Sequence, residues 1–283
     1  MPTALITGAS TGIGRTTALR LAGGGWTVFA GVRDSAAGER LLGEAVAGQV
    51  IPLTLDVTDA AQIAAAAKLV REQTGAASSR GGLDALVNNA GIGVGGPLEL
   101  VSPEDLRMQF EVNVFGQVAV TRALLPSLRA ARGRIVLVSS IGGRVSVPFN
   151  GPYAASKHAI EALGDALRGE LYNSNIHVSL VEPGSVRTPI WDKARDTADG
   201  LEIPPELQRE YGHVPAAFAK VLNDTERRGV SPEQVAATIE RALTARRPRA
   251  RYLVGRDARG MVLAHALLPS AAFDRVLRRV LGV

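Results

Sequence analysis

Apolar residues in this chain come in short, nearly continuous runs separated by longer stretches with helical periodicity. The runs are TALIT (3–7), TVFAGV (27–32), VIPLTLDV (50–57), DALVNNA (84–90), RIVLVSS (134–140), HVSLVEP (177–183) and RYLVG (251–255). A strand with one wet face alternates apolar and polar positions. These runs mostly do not alternate, which is the pattern of parallel strands covered on both faces. Between them, residues 12–23, 59–73, 103–131 and 153–172 read as helices by length and by the spacing of their apolar positions. Strand alternating with helix predicts a doubly wound α/β fold: a parallel sheet of about seven strands with helices on both faces.

Boundary residues agree with this reading. Thr58 or Asp59 is placed to cap the second of these helices, and Ser102 precedes Pro103 with acids in the following turn. TGAASSRGG (74–82) reads as a surface loop. Residues 185–230 are long, polar and punctuated by proline, as expected of a cover over a substrate. The extension 256–283 ends in a segment whose Phe273, Val276, Leu277 and Val280 fall on one helical face, either covering the chain's own pocket or docking a partner. The expectation is one domain over residues 1–283.

Composition narrows the class. Hydrophobic residues make up 46% and charged residues 21%, enough apolar surface to bury a large core and to exclude global disorder. The net charge is +5. Its arginine-rich stretch ARRPRARYLVGRDARG (245–260) lacks interleaved aromatics, so a solvated surface is expected rather than a nucleic-acid site. With no cysteine, disulfides, thiolate metal sites and cysteine nucleophiles are excluded. MVLAHALLPS (261–270) is far shorter than the ~20 residues that span a bilayer, and the start MPTALITGAS lacks the pattern of a secretion signal. A cytoplasmic protein without a metal or a transmembrane segment is expected.

The chemistry begins at LITGASTGIG, where Gly8, Gly12 and Gly14, with Ser10, Thr11 and Ile13 between them, join the first strand to the first helix. Amides at a helix N-terminus form an anion site, and missing side chains admit a pyrophosphate, so a Rossmann-type dinucleotide site is expected. GASTG also matches the G-x-S-x-G elbow of serine hydrolases, with Ser10 as nucleophile, but only one strand precedes it, where that fold needs several. At the end of the second strand, Arg33 follows Val32 where an NAD site would carry an acid. Its guanidinium suits a 2′-phosphate, which favours NADP(H); Asp34, one residue on, keeps NAD(H) open. Further along, Tyr153 and Lys157 lie four apart, a spacing that sets both on one helix face and lets an ammonium reach a phenol.

The series TGASTGIG (7–14), LDV (55–57), NNAG (88–91), VNVFG (112–116), VSS (138–140), YAASK (153–157) and PGSVRT (183–188) resembles the short-chain dehydrogenase/reductase family, whose motifs occur in this order. The resemblance implies Tyr153 as general acid/base, Ser140 polarising a substrate carbonyl, Lys157 lowering the tyrosine pKa and binding the nicotinamide ribose, and Asn113 anchoring a relay water. It further implies cofactor contacts at the glycine turn, at Asp56 and Val57, along Asn89, Ala90 and Gly91, and at Pro183, Gly184, Val186 and Thr188. VPFNGPYAASK and RYLVG most resemble members related to 17β-hydroxysteroid and retinol dehydrogenases, with bacterial ketone reductases of polyketide type equally open. Val147, Phe149 and Asn150 would then shape a pocket for an apolar ketone or secondary alcohol, and such relatives commonly form homodimers or homotetramers. A non-catalytic dinucleotide-binding regulator is the rival reading; it would need the glycine turn but not Asn113, Ser140, Tyr153 and Lys157 together.

Overall fold

The computed structural model describes residues 1–45, 49–77, 81–188 and 202–281. In chain order the principal elements are β1 (Thr3–Ile6), α1 (Gly12–Gly23), β2 (Thr27–Val32), α2 (Ser35–Glu44), β3 (Val50–Thr54), α3 (Ala60–Ala77) and β4 (Ala85–Asn88). There follow α4 (Pro103–Phe110), a π-helical segment (Glu111–Gly116), α5 (Gln117–Ala131), β5 (Arg134–Val138), α6 (Gly151–Glu170) and β6 (His177–Pro183). The last are α7 (Val214–Arg228), α8 (Pro232–Thr244), β7 (Arg251–Val254), α9 (Arg256–Leu267) and α10 (Ser270–Leu281).

The strands form one seven-stranded sheet in the order β3-β2-β1-β4-β5-β6-β7, every neighbouring pair parallel. Because side chains alternate between faces, each apolar run feeds two cores. Ala4, Ile6, Val28, Ala30, Val136 and Val138 pack with Leu21, Leu41 and Ile239 of α1, α2 and α8. Leu5, Phe29, Leu86, Ile135 and Leu137 pack with Val70, Leu124 and Ile160 of α3, α5 and α6. Full burial of such a side chain stabilises by roughly 1.5–3 kcal/mol, so both faces of the central strands must stay apolar. Pro52, which cannot donate to a ladder, sits in the edge strand β3. The first strand is central: Thr3 donates its backbone N–H to Asp84 at 2.9 Å, ahead of β4, and β1 also pairs with β2.

Four boundaries differ from the pattern. The third apolar run extends to Val57, but the strand register with β2 ends at Thr54; Leu55 and Val57 are buried past the strand's end in the core shared with α3 and α5. Thr74–Ala77, read as loop, continue α3, while 78–80 lie outside the described residues. The stretch 103–131 is broken by the π-helical segment. In 185–230, Val186 bridges Val230, a helical turn covers Gln208–Tyr211 and α7 follows; residues 189–201 lie outside the described residues. At the C-terminus, Phe273 and Leu277 pack against Val145 of the chain itself, whereas Val276 points to solvent and the Val280 side chain lies outside the described residues. Among the described residues, no helix is long and apolar enough to cross a membrane.

Candidate active site

The crevice between β1 and β4 is where the strand order reverses, the place at which doubly wound sheets bind ligands. Its floor is the turn after β1. Gly8 and Gly12 take φ of 64° and 52°, left-handed values that glycine adopts without strain. The Asn89 side-chain amide donates to the Thr7 and Gly8 carbonyls (3.0 and 3.1 Å), and the Thr7 hydroxyl accepts from the Asn89 and Ala90 N–H groups (3.0 and 2.9 Å). Glycine turn and NNAG segment are thus buckled into one unit. A Cβ at Gly14 would overlap the Gly8 carbonyl oxygen, so the turn closes only around glycine. Thr11 stands at the N-cap of α1 without a side-chain cap bond, and the first turn carries no acid. Those amides and the partial positive charge of the helix are left for an anion, and the cradle fits a dinucleotide pyrophosphate. Ser10, Gly12 and Ile13 are half-buried around it. No described hydrogen bond joins Ser10 to a histidine, as a serine-hydrolase elbow would need.

The adenosine end is formed by the strand ends on the other side of β1. Arg33 is exposed after β2, and its charge helps hold the Asp56 carboxyl below its usual range, behind the main cause, the Thr58 backbone N–H that Asp56 accepts at 2.9 Å. Asp34 caps α2 by accepting from Ala37 N–H at 2.7 Å, so its carboxylate is already committed. Val57 is buried, and Gly116 packs so closely that a Cβ there would strike it.

The reacting end lies beyond β4 and β5. Ser140 follows β5; its hydroxyl accepts from Gly142 N–H (3.1 Å), donates to the Pro183 carbonyl (3.5 Å) and lies with the Tyr153 ring beside Gly142. The Tyr153 ring stands between Gly93 and Gly142, where added Cβ atoms would lie 3.9 and 3.2 Å from it. One turn on, Lys157 is 4% exposed, donates to the Val138 carbonyl at 2.9 Å and sits 5.7 Å from the Tyr153 ring centroid. Burial brings its pKa down to about 8, against an opposing pull from Glu161, so it remains mostly protonated at neutral pH. Burial pushes the Tyr153 phenol up, and the opposing pull comes from Ser140. The lowering by Lys157 that the resemblance implies does not show in this shift, whose one opposing cause is Ser140.

Asn113 is fully buried in the π-helical segment, with its Oδ1 accepting from Ile92 N–H (2.8 Å) and its Nδ2 donating to the Ile92 carbonyl and Ser156 hydroxyl (3.0 and 3.1 Å). Gly91 brings this group to Lys157: a Cβ there would lie 3.3 Å from Asn113 Oδ1 and 3.7 Å from Lys157 Nζ. Gln109 and Gln117, four residues to either side, hold the same loop through Val94, Ile92 and Ala90. Sequence reasoning passed over these two. The signal was present, since polar residues every four positions in an otherwise half-apolar helix form a buried polar stripe.

At the end of β6, Gly184 N–H donates to the Val254 carbonyl (2.9 Å), while Val186 is buried and Thr188 half-buried. Asn150 leads into α6 and Val147 packs toward α9 and α10. Phe149 holds a φ of 64°, unusual for a bulky residue, and meets the His213 ring edge-on at 5.9 Å. Phe218 of α7 covers Gly95, and the Tyr211 hydroxyl donates to Glu99 at 2.8 Å. The segment 208–228 therefore lies against loop 93–99, beside Tyr153. His158 is exposed and bonds back to its own helix. No group of metal-ligating side chains occurs among the described residues.

A phosphate cradle at the sheet's switch point, opening toward a buried Tyr–Lys–Ser cluster, defines a dinucleotide-dependent oxidoreductase. The model of the short chain dehydrogenase family matches residues 2–199, and the chain belongs to that family. It is 34% identical to the NADPH-dependent 3-dehydrocapnine reductase of Ornithobacterium rhinotracheale, over 96% of this chain and 95% of the relative. It is 36% identical to retinol dehydrogenase 5 of Mus musculus, over 98% of this chain and 87% of the relative. A short chain dehydrogenase/reductase from Burkholderia phymatum, solved in complex with NAD, superposes with a TM-score of 0.78 at 29% identity, covering 94% of this chain and 92% of the other. The chain is an oxidoreductase acting on the CH–OH/C=O couple with a nicotinamide dinucleotide.

Proposed function

We propose that this chain, as one catalytic domain, reduces an apolar ketone or oxidises the matching secondary alcohol, with NADP(H) preferred over NAD(H). The observation that carries the reading is Tyr153 and Ser140 meeting beside Gly142, with the buried Lys157 ammonium 5.7 Å from the Tyr153 ring centroid. A non-catalytic dinucleotide binder would have no reason to bury a lysine whose ammonium is taken out of water at such cost.

When bound, the dinucleotide supplies or accepts the hydride at its nicotinamide. The turn at Gly8, Ser10, Thr11, Gly12, Ile13 and Gly14 holds its pyrophosphate, Asp56 and Val57 border the adenine, and Asn89, Ala90 and Gly91 run along the ribose. Pro183, Gly184, Val186 and Thr188 border the nicotinamide amide. Ser140 donates to the substrate oxygen and Tyr153, protonated at neutral pH, delivers the proton that completes the alcohol. Lys157 holds the ribose and stabilises the phenolate left behind, and Asn113 fixes the loop over which a water returns the proton. Val147, Phe149, Asn150 and the aromatic cover at His213 and Phe218 favour an apolar substrate of retinoid, steroid or polyketide size. The relatives named for 3-dehydrocapnine and retinol support that class.

The committed Asp34 and the exposed Arg33 support the phosphate preference. Fluorescence titration should show tighter NADPH than NADH binding, and Arg33→Ala should weaken NADPH by about tenfold, the worth of one charge-assisted pair, with NADH nearly unchanged. Equal affinities in the parent would remove the assignment. A panel of ketones with NADPH then identifies the substrate. Exposed Met108, Phe115 and Leu163 on α4, the π-helical segment and α6 support homodimer or homotetramer formation through these helices. Sedimentation should show no monomer at micromolar concentration, and a monomer would end that part of the reading.

A further inference from the structure

Two carboxylates are buried behind the catalytic helix with no part in the proton transfer. Glu161, one turn beyond Lys157 on α6, is 7% exposed at its side chain, and Glu182 of β6 is 0% exposed. They converge on Arg251 of β7, whose Nε lies 3.0 Å from Glu161 Oε2 and 3.1 Å from Glu182 Oε1. Arg144, after the turn that follows Ser140, pairs with Glu182 at 3.2 Å. Asp165, on α6, takes the other end of Arg251 at 2.6 Å and also pairs with Arg168. Glu161 Oε1 and Glu182 Oε2 have no hydrogen-bond partner. A buried carboxylate oxygen without a donor is expensive, and two close together are unusual in a site kept only for stability.

The geometry places Glu161 toward the active site. Its Cγ lies against Gly143, as do the Lys157 carbonyl oxygen and Ser139 Oγ, in the turn that carries Ser140. Lys157 Nζ does not pair with it and goes to the Val138 carbonyl. The anion thus acts across one helical turn through a dry interior, where a charge is weakly screened.

We propose that Glu161 is a positioning residue for Lys157: clamped from the far side by Arg251, its carboxylate keeps the ammonium charged beneath Tyr153. This rests on the catalytic reading of Lys157 given above. The groups facing Glu161 are Lys157, Asp165 and Arg168 of its own helix, Arg144 after β5, Glu182 of β6 and Arg251 of β7. Burial, and then the Glu161 charge, raise the Glu182 carboxyl to about 7, so it carries only part of its charge at neutral pH.

The test is Glu161→Gln, which keeps the size and an oxygen for Arg251 but removes the charge. The chain has four lysines, so NMR of isotope-labelled lysine side chains resolves Lys157 as the signal lost in Lys157→Arg. In Glu161→Gln the Lys157 titration midpoint should fall by about one pH unit from its parent value, since the group that favoured its charged form is gone. The alkaline limb of kcat for ketone reduction should move to lower pH by the same amount. A lower melting temperature or a uniform loss of kcat, with midpoint and limb unmoved, would reduce Glu161 to a brace and overturn the proposal. Should Glu161→Gln fail to fold, Glu161→Asp retains the charge at shorter reach: a smaller fall of the midpoint supports the proposal and an unchanged one overturns it. The titration needs no substrate, so its outcome is independent of whether Tyr153 is the acid.

Discussion

Tyr153→Phe is expected to cut ketone-dependent NADPH oxidation by about 10²–10⁴-fold, the usual contribution of a positioned proton donor. Only one hydroxyl is lost. The ring still stands between Gly93 and Gly142, and Ser140 keeps its bond from Gly142 N–H. The fold and the dinucleotide affinity should therefore stay within about twofold of the parent, so that the loss falls on kcat. Burial holds the phenol protonated, which makes it a competent donor for reduction across the neutral range. Steady-state rates and NADPH titrations on the same preparation check both halves. A variant that retained ketone reduction would refute the proposed mechanism.

Gly14→Ala is expected to weaken dinucleotide binding by about ten- to hundredfold and to destabilise the chain. The new methyl would overlap the Gly8 carbonyl and the Asn89 side chain, and the first of these is backbone held in a turn. Opening that turn breaks the buckle between the first and fourth strand ends, at a cost of about 1–3 kcal/mol, typical of overpacking. The same interval is ten- to hundredfold in affinity if the turn must re-form to bind. Gly23→Ala, in the same helix, meets nothing within 4 Å and should be neutral or stabilising by up to about 1 kcal/mol. Thermal melts and NADPH titration of the pair separate a helix effect from a turn effect. Equal behaviour of the two variants would contradict the close-approach argument.

Local signals carried much of the fold. Unalternating runs such as TVFAGV lie wholly buried between helices, because each face needs its own apolar set, and the limits of α1 were legible from its glycines and turn. Where a boundary was missed, apolarity had another cause: Leu55 and Val57 fill the core past the end of β3. The π-helical segment was invisible because one extra residue in a helical turn does not change which residue types appear. The spacing of Tyr153 and Lys157 foretold their meeting on one face of α6, and the motif order led to Ser140 and Asn113. The Glu161–Arg251 pair, 90 residues apart, was not legible, since either partner alone reads as an ordinary surface charge. Its existence depends on β6 and β7 lying beside α6.

The central place of β1 bears on how the chain is made. During synthesis β1 is made before either of the strands that flank it. β2 arrives early, yet the other neighbour is not complete until Asn88. Leu5 and Ile6, which end with no exposed area, must wait through more than eighty residues of synthesis for their second flank. Non-local parallel pairing is slow, and unpaired apolar edges invite aggregation. Through that interval the growing chain carries an apolar strand with one flank open, the kind of edge from which aggregation starts.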